Sequence, residues 1–360
     1  MKGKTWILLA LWGLLTLGAW FGPAREVSDG ERRKLAQMPA LTWGNLLSGR
    51  FSRDFESYTL DQFPLRDRFR QIKALTHYYA LGQGDKEGVY LENGHAAQQL
   101  YPMNEASVDH AMTRFRQVYE KFLTGSRVYF GVIPDKNRYL AEVAGQPSLD
   151  YETLLARVEE QADWATVLDL GERLTLDSYY RTDTHWKQET LLPVAEQLAA
   201  AMGNPLPEEA DYTPVTLERP FYGVYYGQTA LPLAPDTITL LTNDTLENAT
   251  VWDFESGTRG KIYDLEKLDS RDLYDVYLSG ARVLLTIENP AGTPGKELLI
   301  FRDSYASALT PLLLGDYSRV TLVDLRYISP RLLESHLTTP TQDALFLCST
   351  LILNDSSAIK

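Results

Sequence analysis

Cysteine is nearly absent: Cys348 is the only one among 360 residues. A single cysteine excludes an internal disulfide framework and a multi-cysteine metal site. Because it lies in the apolar stretch ALFLCSTLIL, we expect a buried, unreactive thiol. Basic charge is also scarce, with 35 Lys and Arg against 48 Asp and Glu and a formal net charge of -13. This acidic balance argues against a general nucleic-acid-binding protein.

Motifs for cofactors and metals are missing as well. No glycine-rich phosphate-binding loop occurs. The chain has 5 histidines, and four of them are scattered without metal-ligand spacing: His77, His95, His110 and His336. Because a zinc site needs three or four converging ligands, we expect neither a metal site nor a cofactor.

The longest apolar run is at the N-terminus. Lys2 and Lys4 precede WILLALWGLLTLGAWFG, residues 6–22, which carries no charge. A basic start followed by such a run is typical of a signal peptide or a short signal anchor, and its length is near the lower limit for spanning a bilayer. Pro23 disfavours cleavage between its small neighbours, so we favour an uncleaved anchor over a secreted form. Either alternative predicts an extracytoplasmic protein.

Three parts are predicted along the chain. Residues 1–24 form the signal anchor or signal peptide, residues 25–50 a polar linker, and residues 51–360 one globular domain. Within that domain, helical and strand patterns alternate, and this βαβ rhythm predicts a parallel sheet covered by helices. Residues 205–260 are rich in Pro, Gly, Thr and Tyr, and they are predicted to form a β-rich insertion or lid. A hairpin is predicted to turn at Asn93-Gly94.

One candidate for chemistry is the serine in ELLIFRDSYASALTPLLLG, residues 297–315. Asp303-Ser304 stands between an apolar strand and a predicted helix. A serine at the carboxyl end of a strand faces the usual ligand crevice of an open α/β sheet. Free N–H groups at a helix start also favour an oxyanion. The alternative is structural, since Asp-Ser before a helix is a good N-cap.

A second candidate is the aspartate–histidine pair in YYRTDTHWKQET, residues 179–190. A serine nucleophile needs a base, and the base needs a carboxylate that fixes its tautomer. Asp183 and His185 are two positions apart, so on an extended segment their side chains can point the same way. Trp186 would add an apolar wall that excludes water or stacks on a sugar. The alternative is an ordinary surface pair.

DTHW followed by RDSYASALTPLL resembles the DHHW family, which is related to the alginate O-acetyltransferase (AlgJ/AlgX-like) branch of SGNH hydrolase-like proteins. Three further segments resemble that family: residues 48–67, VIPDKN at 132–137 and VTLVDLRY at 320–327. The resemblance therefore covers most of the chain after the N-terminal run. It implies a three-layer α/β fold of the SGNH hydrolase-like type, with a parallel sheet.

The resemblance also implies roles for individual residues. Ser304 matches the nucleophile, His185 the general base and Asp183 the residue that orients the base. Lys136 and Arg326 match polar positions near the site, and both are expected to bind substrate.

Two further tyrosines are expected near the substrate. Tyr305 is expected to line the pocket, and Tyr222 in FYGVYYGQ is a candidate for stacking on a sugar. The sequence departs from the patterns at two places. Thr184 replaces the first histidine of the family's name, and Arg302 stands where ordinary SGNH enzymes have glycine. Arg302 is expected to crowd the backbone that would approach an oxyanion.

The function that the resemblance implies is transfer of an acyl group, most simply acetyl, to a cell-envelope or secreted polysaccharide. The donor would be presented across the membrane by an MBOAT-type partner. One alternative is a carbohydrate O-acetyl esterase, which would use the same triad with water as the acceptor. The other is a non-catalytic glycan-binding or scaffold subunit of a polysaccharide-modification complex.

Overall fold

A computed structural model describes residues 2–21, 23–28, 30–337 and 343–360. The chain divides into two compact units. The first consists of Met1–Val89 and Val224–Ala234, and the second of Tyr90–Gly223 and Pro235–Lys360. The predicted linker and the helical stretch that follows residue 51 both lie in the first unit.

The first unit is mainly helical. Its elements are α1 (Lys2–Phe21), β1 (Val27–Ser28), β2 (Arg33–Lys34), α2 (Trp43–Leu47), α3 (Arg50–Asp61), α4 (Arg66–Leu75), β3 (Asp85–Lys86) and, from the later segment, α9 (Val224–Thr229). Among the helices described, none combines the length and the hydropathy that crossing a bilayer requires. The N-terminal anchor therefore stays a prediction, and Gly22 at the end of its apolar run lies outside the described residues.

The second unit is built on a mixed sheet with helices on both faces. Its strands are β4 (Val89–Glu92), β5 (His95–Gln98), β6 (Arg127–Ile133), β7 (Thr166–Asp169), β8 (Thr213–Thr216), β9 (Thr239–Thr242), β10 (Thr250–Asp253), β11 (Thr258–Gly260), β12 (Leu284–Glu288), β13 (Thr293–Arg302), β14 (Tyr317–Val323) and β15 (Asp343–Ser349). Its helices are α5 (Glu105–Val118), α6 (Asn137–Leu140), α7 (Tyr151–Gln161), α8 (Leu192–Met202), α10 (Asp244–Asn248), α11 (Ala306–Leu309), α12 (Pro330–Leu333) and α13 (Thr350–Asn354).

The main sheet has, in the part of the chain that the structure describes, 8 strands in the order β11-β10-β12-β14-β13-β15-β6-β7. The five strands from β14 to β7 are parallel, as the βαβ rhythm predicts. The other three form an antiparallel edge, which was not predicted. Only a short turn joins β10 to β11, and so short a connection permits only antiparallel pairing.

Alternation along β13 shows how the layers are built. Leu298 and Ile300 belong to one apolar core, together with side chains of α8 and α11. Leu299 and Phe301 belong to the other, with side chains of α5, α7 and α13. Successive strand residues point to opposite faces, so the sheet lies between two helical layers. The predicted three-layer α/β architecture is confirmed, whereas the predicted anchor is not.

The stretch from 205 to 260 differs from the prediction of one β-rich insertion. β10 and β11 belong to the main sheet, while β8 pairs with β9 in a separate ribbon. Residues 224–234 belong to the first unit. Composition predicted strands here, but it cannot specify their partners, because pairing depends on contacts distant in sequence. The predicted hairpin turn is confirmed, with Asn93 at φ 50 and Gly94 at φ 77 between β4 and β5.

Candidate active site

The carboxyl ends of β6, β13, β14 and β15 meet at one edge of the sheet, and Ser304 follows β13 at this edge. Asp303 fixes the turn that carries Ser304. One of its carboxylate oxygens accepts the Ser349 N–H at 2.8 Å, and the other accepts the Tyr305 N–H at 3.0 Å. The serine is therefore held by bonds from its own turn and from the end of the neighbouring strand.

The aspartate–histidine pair lies on a tight turn between two short extended segments. Tyr179 and Trp186 form an antiparallel bridge, and the Tyr180 N–H donates to the His185 carbonyl at 3.1 Å. At the tip, Asp183 Oδ1 accepts the His185 N–H at 3.0 Å. This Asx-type turn explains the spacing of two, because it brings the carboxylate back onto the residue that carries the imidazole.

The three predicted catalytic residues are joined by hydrogen bonds. His185 Nδ1 lies 2.6 Å from Asp183 Oδ1, and its Nε2 lies 2.9 Å from Ser304 Oγ. An ionised carboxylate can only accept, so Nδ1 carries the proton and Nε2 accepts from the serine hydroxyl. The Asp183 side chain is 1% exposed and the imidazole 12%. Such an arrangement can remove the proton from an attacking serine hydroxyl.

Tyr274 completes the site and was not predicted. Its ring stacks on the His185 imidazole with the centroids 3.9 Å apart and the planes at 13°. Burial raises the pKa of Tyr274 well above its ordinary value, so the phenol stays neutral. Tyr274 lies in the short helical turn Leu273–Val276, in a segment with no motif that marks it among 21 tyrosines.

Asp236 holds the turn from the other side and was also not predicted. Its carboxylate accepts the Arg181 N–H and the Thr182 N–H, both at 2.8 Å, and the Thr182 hydroxyl at 2.6 Å. The Thr182 hydroxyl oxygen in turn accepts the Gly223 N–H at 2.9 Å. Both peptide N–H groups that precede Asp183 are thus fixed by one carboxylate, in the manner of an N-cap.

Gly223 leaves room for Asp183, and we expect its replacement to disturb the predicted catalytic residues. A Cβ at this position would lie 2.3 Å from Asp183 Cβ and 2.3 Å from the Thr182 carbonyl oxygen. The backbone beside Asp183 would have to shift, so we expect Gly223→Ala to lower kcat for p-nitrophenyl acetate roughly 10-fold to 100-fold. Gly260→Ala is the matched control, because a Cβ there meets nothing within 4 Å. Equal activities of the two variants would contradict the proposed packing role.

Two aromatic residues predicted to contact substrate are buried instead. Trp186 is fully buried, and its indole N–H donates to the Tyr305 carbonyl at 2.8 Å. Tyr305 is also buried, and its hydroxyl donates to the Thr184 carbonyl at 2.9 Å. Neither side chain can form a wall facing a ligand, so this part of the prediction is corrected. Both side chains instead form hydrogen bonds that connect the turn carrying Ser304 with the turn carrying His185.

The two cations predicted near the site are engaged within the protein. The Lys136 side chain is buried, and its ammonium donates to the carbonyls of Ala96 at 2.8 Å and Tyr180 at 2.6 Å. Arg326 forms a bidentate salt bridge with Asp324, with nitrogen–oxygen distances of 2.9 and 2.6 Å. Direct substrate binding by Lys136 is therefore corrected to a role inside the fold, and the Arg326 guanidinium is committed to one carboxylate.

The predictions for Arg302 and Tyr222 have different outcomes. Arg302 does not crowd the serine turn, because its guanidinium is buried and donates to Ser307 Oγ at 2.7 Å and to the Gly280 carbonyl at 3.3 Å. Tyr222 is partly exposed and adjoins Gly223 in the chain. It therefore remains the predicted aromatic contact that can still face a ligand.

The fold of this chain is similar to that of known proteins. No family model and no curated protein matches it, but solved structures do. A DHHW family protein from Eubacterium siraeum has 22% identity and a TM-score of 0.63, covering 76% of this chain and 94% of that one. Bacillus cereus PatB1 has 16% identity and a TM-score of 0.59, covering 74% and 96%. The predicted resemblance to the DHHW family is confirmed at the level of the fold.

Proposed function

We propose that the protein is a serine-dependent O-acyltransferase, most specifically an O-acetyltransferase, that modifies a cell-envelope or secreted polysaccharide outside the cytoplasm. The observation that carries the proposal is the hydrogen-bonded series Asp183, His185 and Ser304 at the carboxyl edge of the sheet. The fold shared with the DHHW family protein and with PatB1 supports it.

The first half-reaction forms an acyl-enzyme. Ser304 Oγ attacks the carbonyl carbon of the acyl donor while His185 Nε2 takes the hydroxyl proton. Asp183 holds the Nδ1 proton and stabilises the imidazolium that forms. The backbone N–H of Ser304 lies at the start of the turn, where an oxyanion would be stabilised. His185 then passes its proton to the leaving group, and the acyl group remains on Ser304.

The second half-reaction needs an acceptor hydroxyl. His185 removes the proton of a sugar hydroxyl, whose oxygen attacks the acyl carbon and releases Ser304 with its proton restored. Transfer is favoured over hydrolysis when water is kept from the acyl-enzyme. Tyr274 covers one face of the imidazole. Tyr222 is partly exposed, and the proposal assigns it to stacking on the acceptor sugar.

The acyl donor and its delivery are part of the proposal. Lys2 and Lys4 followed by an apolar run support insertion of the N-terminus in the cell membrane, and α1 exposes apolar side chains such as Trp6 and Trp12. An MBOAT-type membrane acyltransferase would present the donor on the outer side. The site itself needs only an activated acyl group within reach of Ser304.

Competition between sugar and water tests the proposed function. The protein is supplied with p-nitrophenyl acetate and a panel of neutral, amino and acidic oligosaccharides, and the masses of the products are measured by mass spectrometry. We expect the gain of acetyl groups on at least one oligosaccharide class. Tyr222→Ala should lower this transfer more than it lowers nitrophenol release. Tyr79→Ala, which alters an exposed tyrosine of the first unit, should change neither rate.

The same assay distinguishes the two alternatives. If acetylated fragments lose acetyl while no fragment of any class gains it, the protein is an esterase. PatB1 has been solved with a sulfonyl adduct, so a sulfonyl fluoride is a suitable probe of the serine here. A protein that neither releases nitrophenol nor reacts with the sulfonyl fluoride would be a scaffold subunit.

A further inference from the structure

Lys136 is buried at the edge where the site lies, in the loop that follows β6. Its side chain is 3% exposed, and a lysine is almost never buried to this extent unless its charge has partners. The ammonium donates to the carbonyls of Ala96 at 2.8 Å, Tyr180 at 2.6 Å and Arg181 at 3.4 Å. Two of these acceptors immediately precede the turn that carries Asp183.

Lys136 and Asp236 both form hydrogen bonds with the backbone of residues 180–182, one with its carbonyls and the other with its N–H groups. Asp236 accepts hydrogen bonds from the N–H groups of Arg181 and Thr182, whereas Lys136 donates to the carbonyls of Tyr180 and Arg181. With both its N–H groups and its carbonyls bonded to charged side chains, the segment has one orientation. Asp183 is the next residue, so this orientation also sets where its carboxylate points.

We propose that Lys136 is a positioning residue for the Asp183–His185 pair, holding the turn from which the base is presented to Ser304. The inference rests on the proposed acyl-transfer function. Lys136 does not touch the reacting atoms, and it acts through the backbone of the turn and through its charge beside the Asp183 carboxylate.

The charges around Lys136 make this role dependent on pH. Burial lowers the pKa of Lys136 to about 7, opposed by the nearby carboxylates of Asp183 and Asp236. Asp135 and Lys187 also act on Lys136. Lys136 and Arg181 both act on the nearby His95. Burial, together with the Lys136 charge, lowers the pKa of His95 to about 4, so His95 is neutral when Lys136 titrates.

The direction of the pH effect follows from this lowered pKa. Below about pH 7 the ammonium has three donors and a charge beside Asp183. As the pH rises through that value, Lys136 loses one donor and its charge, so the hold on the turn weakens. We therefore expect kcat of the unmodified protein to fall on the alkaline side, through a group that is neither the nucleophile nor the base.

Three variants test the inference. Lys136→Met keeps the length of the side chain without its charge, and Lys136→Arg keeps a charge that does not titrate. Lys261→Met removes an exposed lysine whose ammonium donates to the Glu247 carbonyl at 2.7 Å. Initial rates with p-nitrophenyl acetate are measured from about pH 5.5 to about pH 9.5. The rate at which Ser304 reacts with phenylmethylsulfonyl fluoride is measured in parallel, because it requires no acceptor.

For Lys136→Met we expect kcat and the sulfonylation rate to fall at least about 10-fold, while KM changes less than about 3-fold. The decrease of kcat at alkaline pH, which is the alkaline limb of the pH profile, should be absent from this variant. Lys136→Arg should recover part of kcat and also lack the alkaline limb. Lys261→Met should keep both the rate and its decrease at alkaline pH. A folded Lys136→Met variant with unchanged kcat and an unchanged pH profile would overturn the inference.

Folding and function are separated by two further observations. Thermal unfolding identifies a variant that has not folded, and in that case the pH profile of the unmodified protein decides. Absence of an alkaline limb from that profile overturns the inference, and a limb that Lys136→Arg abolishes supports it. If the unmodified protein shows neither turnover nor sulfonylation of Ser304, the proposed function fails instead.

Discussion

Ser304→Ala is expected to lower kcat for p-nitrophenyl acetate on the order of 10⁴-fold, because it removes the atom to which the acyl group would be attached. The His185 ring has its Nε2 2.9 Å from Ser304 Oγ and its Nδ1 2.6 Å from Asp183. No other hydroxyl is placed on that nitrogen in the part of the chain that the structure describes. Progress curves of nitrophenol release measure the loss, and intact-protein mass spectrometry measures the acetyl group on the enzyme.

Two further serine variants sharpen this result. Ser318→Ala alters a serine at the start of β14, where its hydroxyl donates to the Lys296 carbonyl, so we expect unchanged turnover. Ser304→Cys keeps a nucleophile, and iodoacetamide should then label position 304 selectively. Cys348 would not compete, because burial raises the pKa of its thiol well above the ordinary value. Equal turnover by Ser304→Ala and the unmodified protein would exclude Ser304 as the nucleophile.

The sequence predicted the elements near the site well, because local patterns encode them. The apolar run before Asp303 forms the end of a central parallel strand, with Ser304 directly after it. The spacing of Asp183 and His185 is realised by an Asx-type turn that those two residues form by themselves. Both features depend on neighbours in the chain, so a single sequence is enough to predict them.

The supporting residues could not be predicted, because they come from distant segments. Asp236 and Tyr274 have no motif around them, and only the fold brings them to the histidine turn. Trp186 was assigned to the ligand side because an aromatic beside a base can stack on a sugar, yet it is fully buried. Large aromatic side chains stabilise a fold mainly when they are buried away from water. The sequence does not show which side of a turn is buried.

Lys136 shows the same limit for a charged residue. A lysine close to a predicted site suggests contact with substrate, whereas its side chain is turned inward onto the Tyr180 and Arg181 carbonyls. The cost of burying its charge is partly offset by hydrogen bonds and by nearby carboxylates. One of those carboxylates is Asp183, so the negative charge of Asp183 helps to stabilise the buried charge of Lys136.

Asp183→Asn is therefore expected to cause the second of the two largest losses, with kcat for p-nitrophenyl acetate reduced on the order of 10⁴-fold. The carboxylate accepts both the His185 N–H at 3.0 Å and the Nδ1 proton at 2.6 Å. An asparagine can turn its NH₂ group toward Nδ1, which favours the tautomer with the proton on Nε2. That tautomer cannot accept the Ser304 proton, and the imidazolium also loses a buried negative charge beside it.

Asp177→Asn is the matched control, because this aspartate is exposed in a nearby helical turn, and we expect it to retain full turnover. Thermal unfolding of both variants separates loss of catalysis from loss of folding. For Asp183→Asn, the rate of Ser304 sulfonylation should fall together with kcat, since both reactions need a serine that His185 can deprotonate. A folded Asp183→Asn variant within about 10-fold of the unmodified kcat would mean that other contacts orient His185. The stacked ring of Tyr274, which restrains the imidazole plane, would then be the group to replace next.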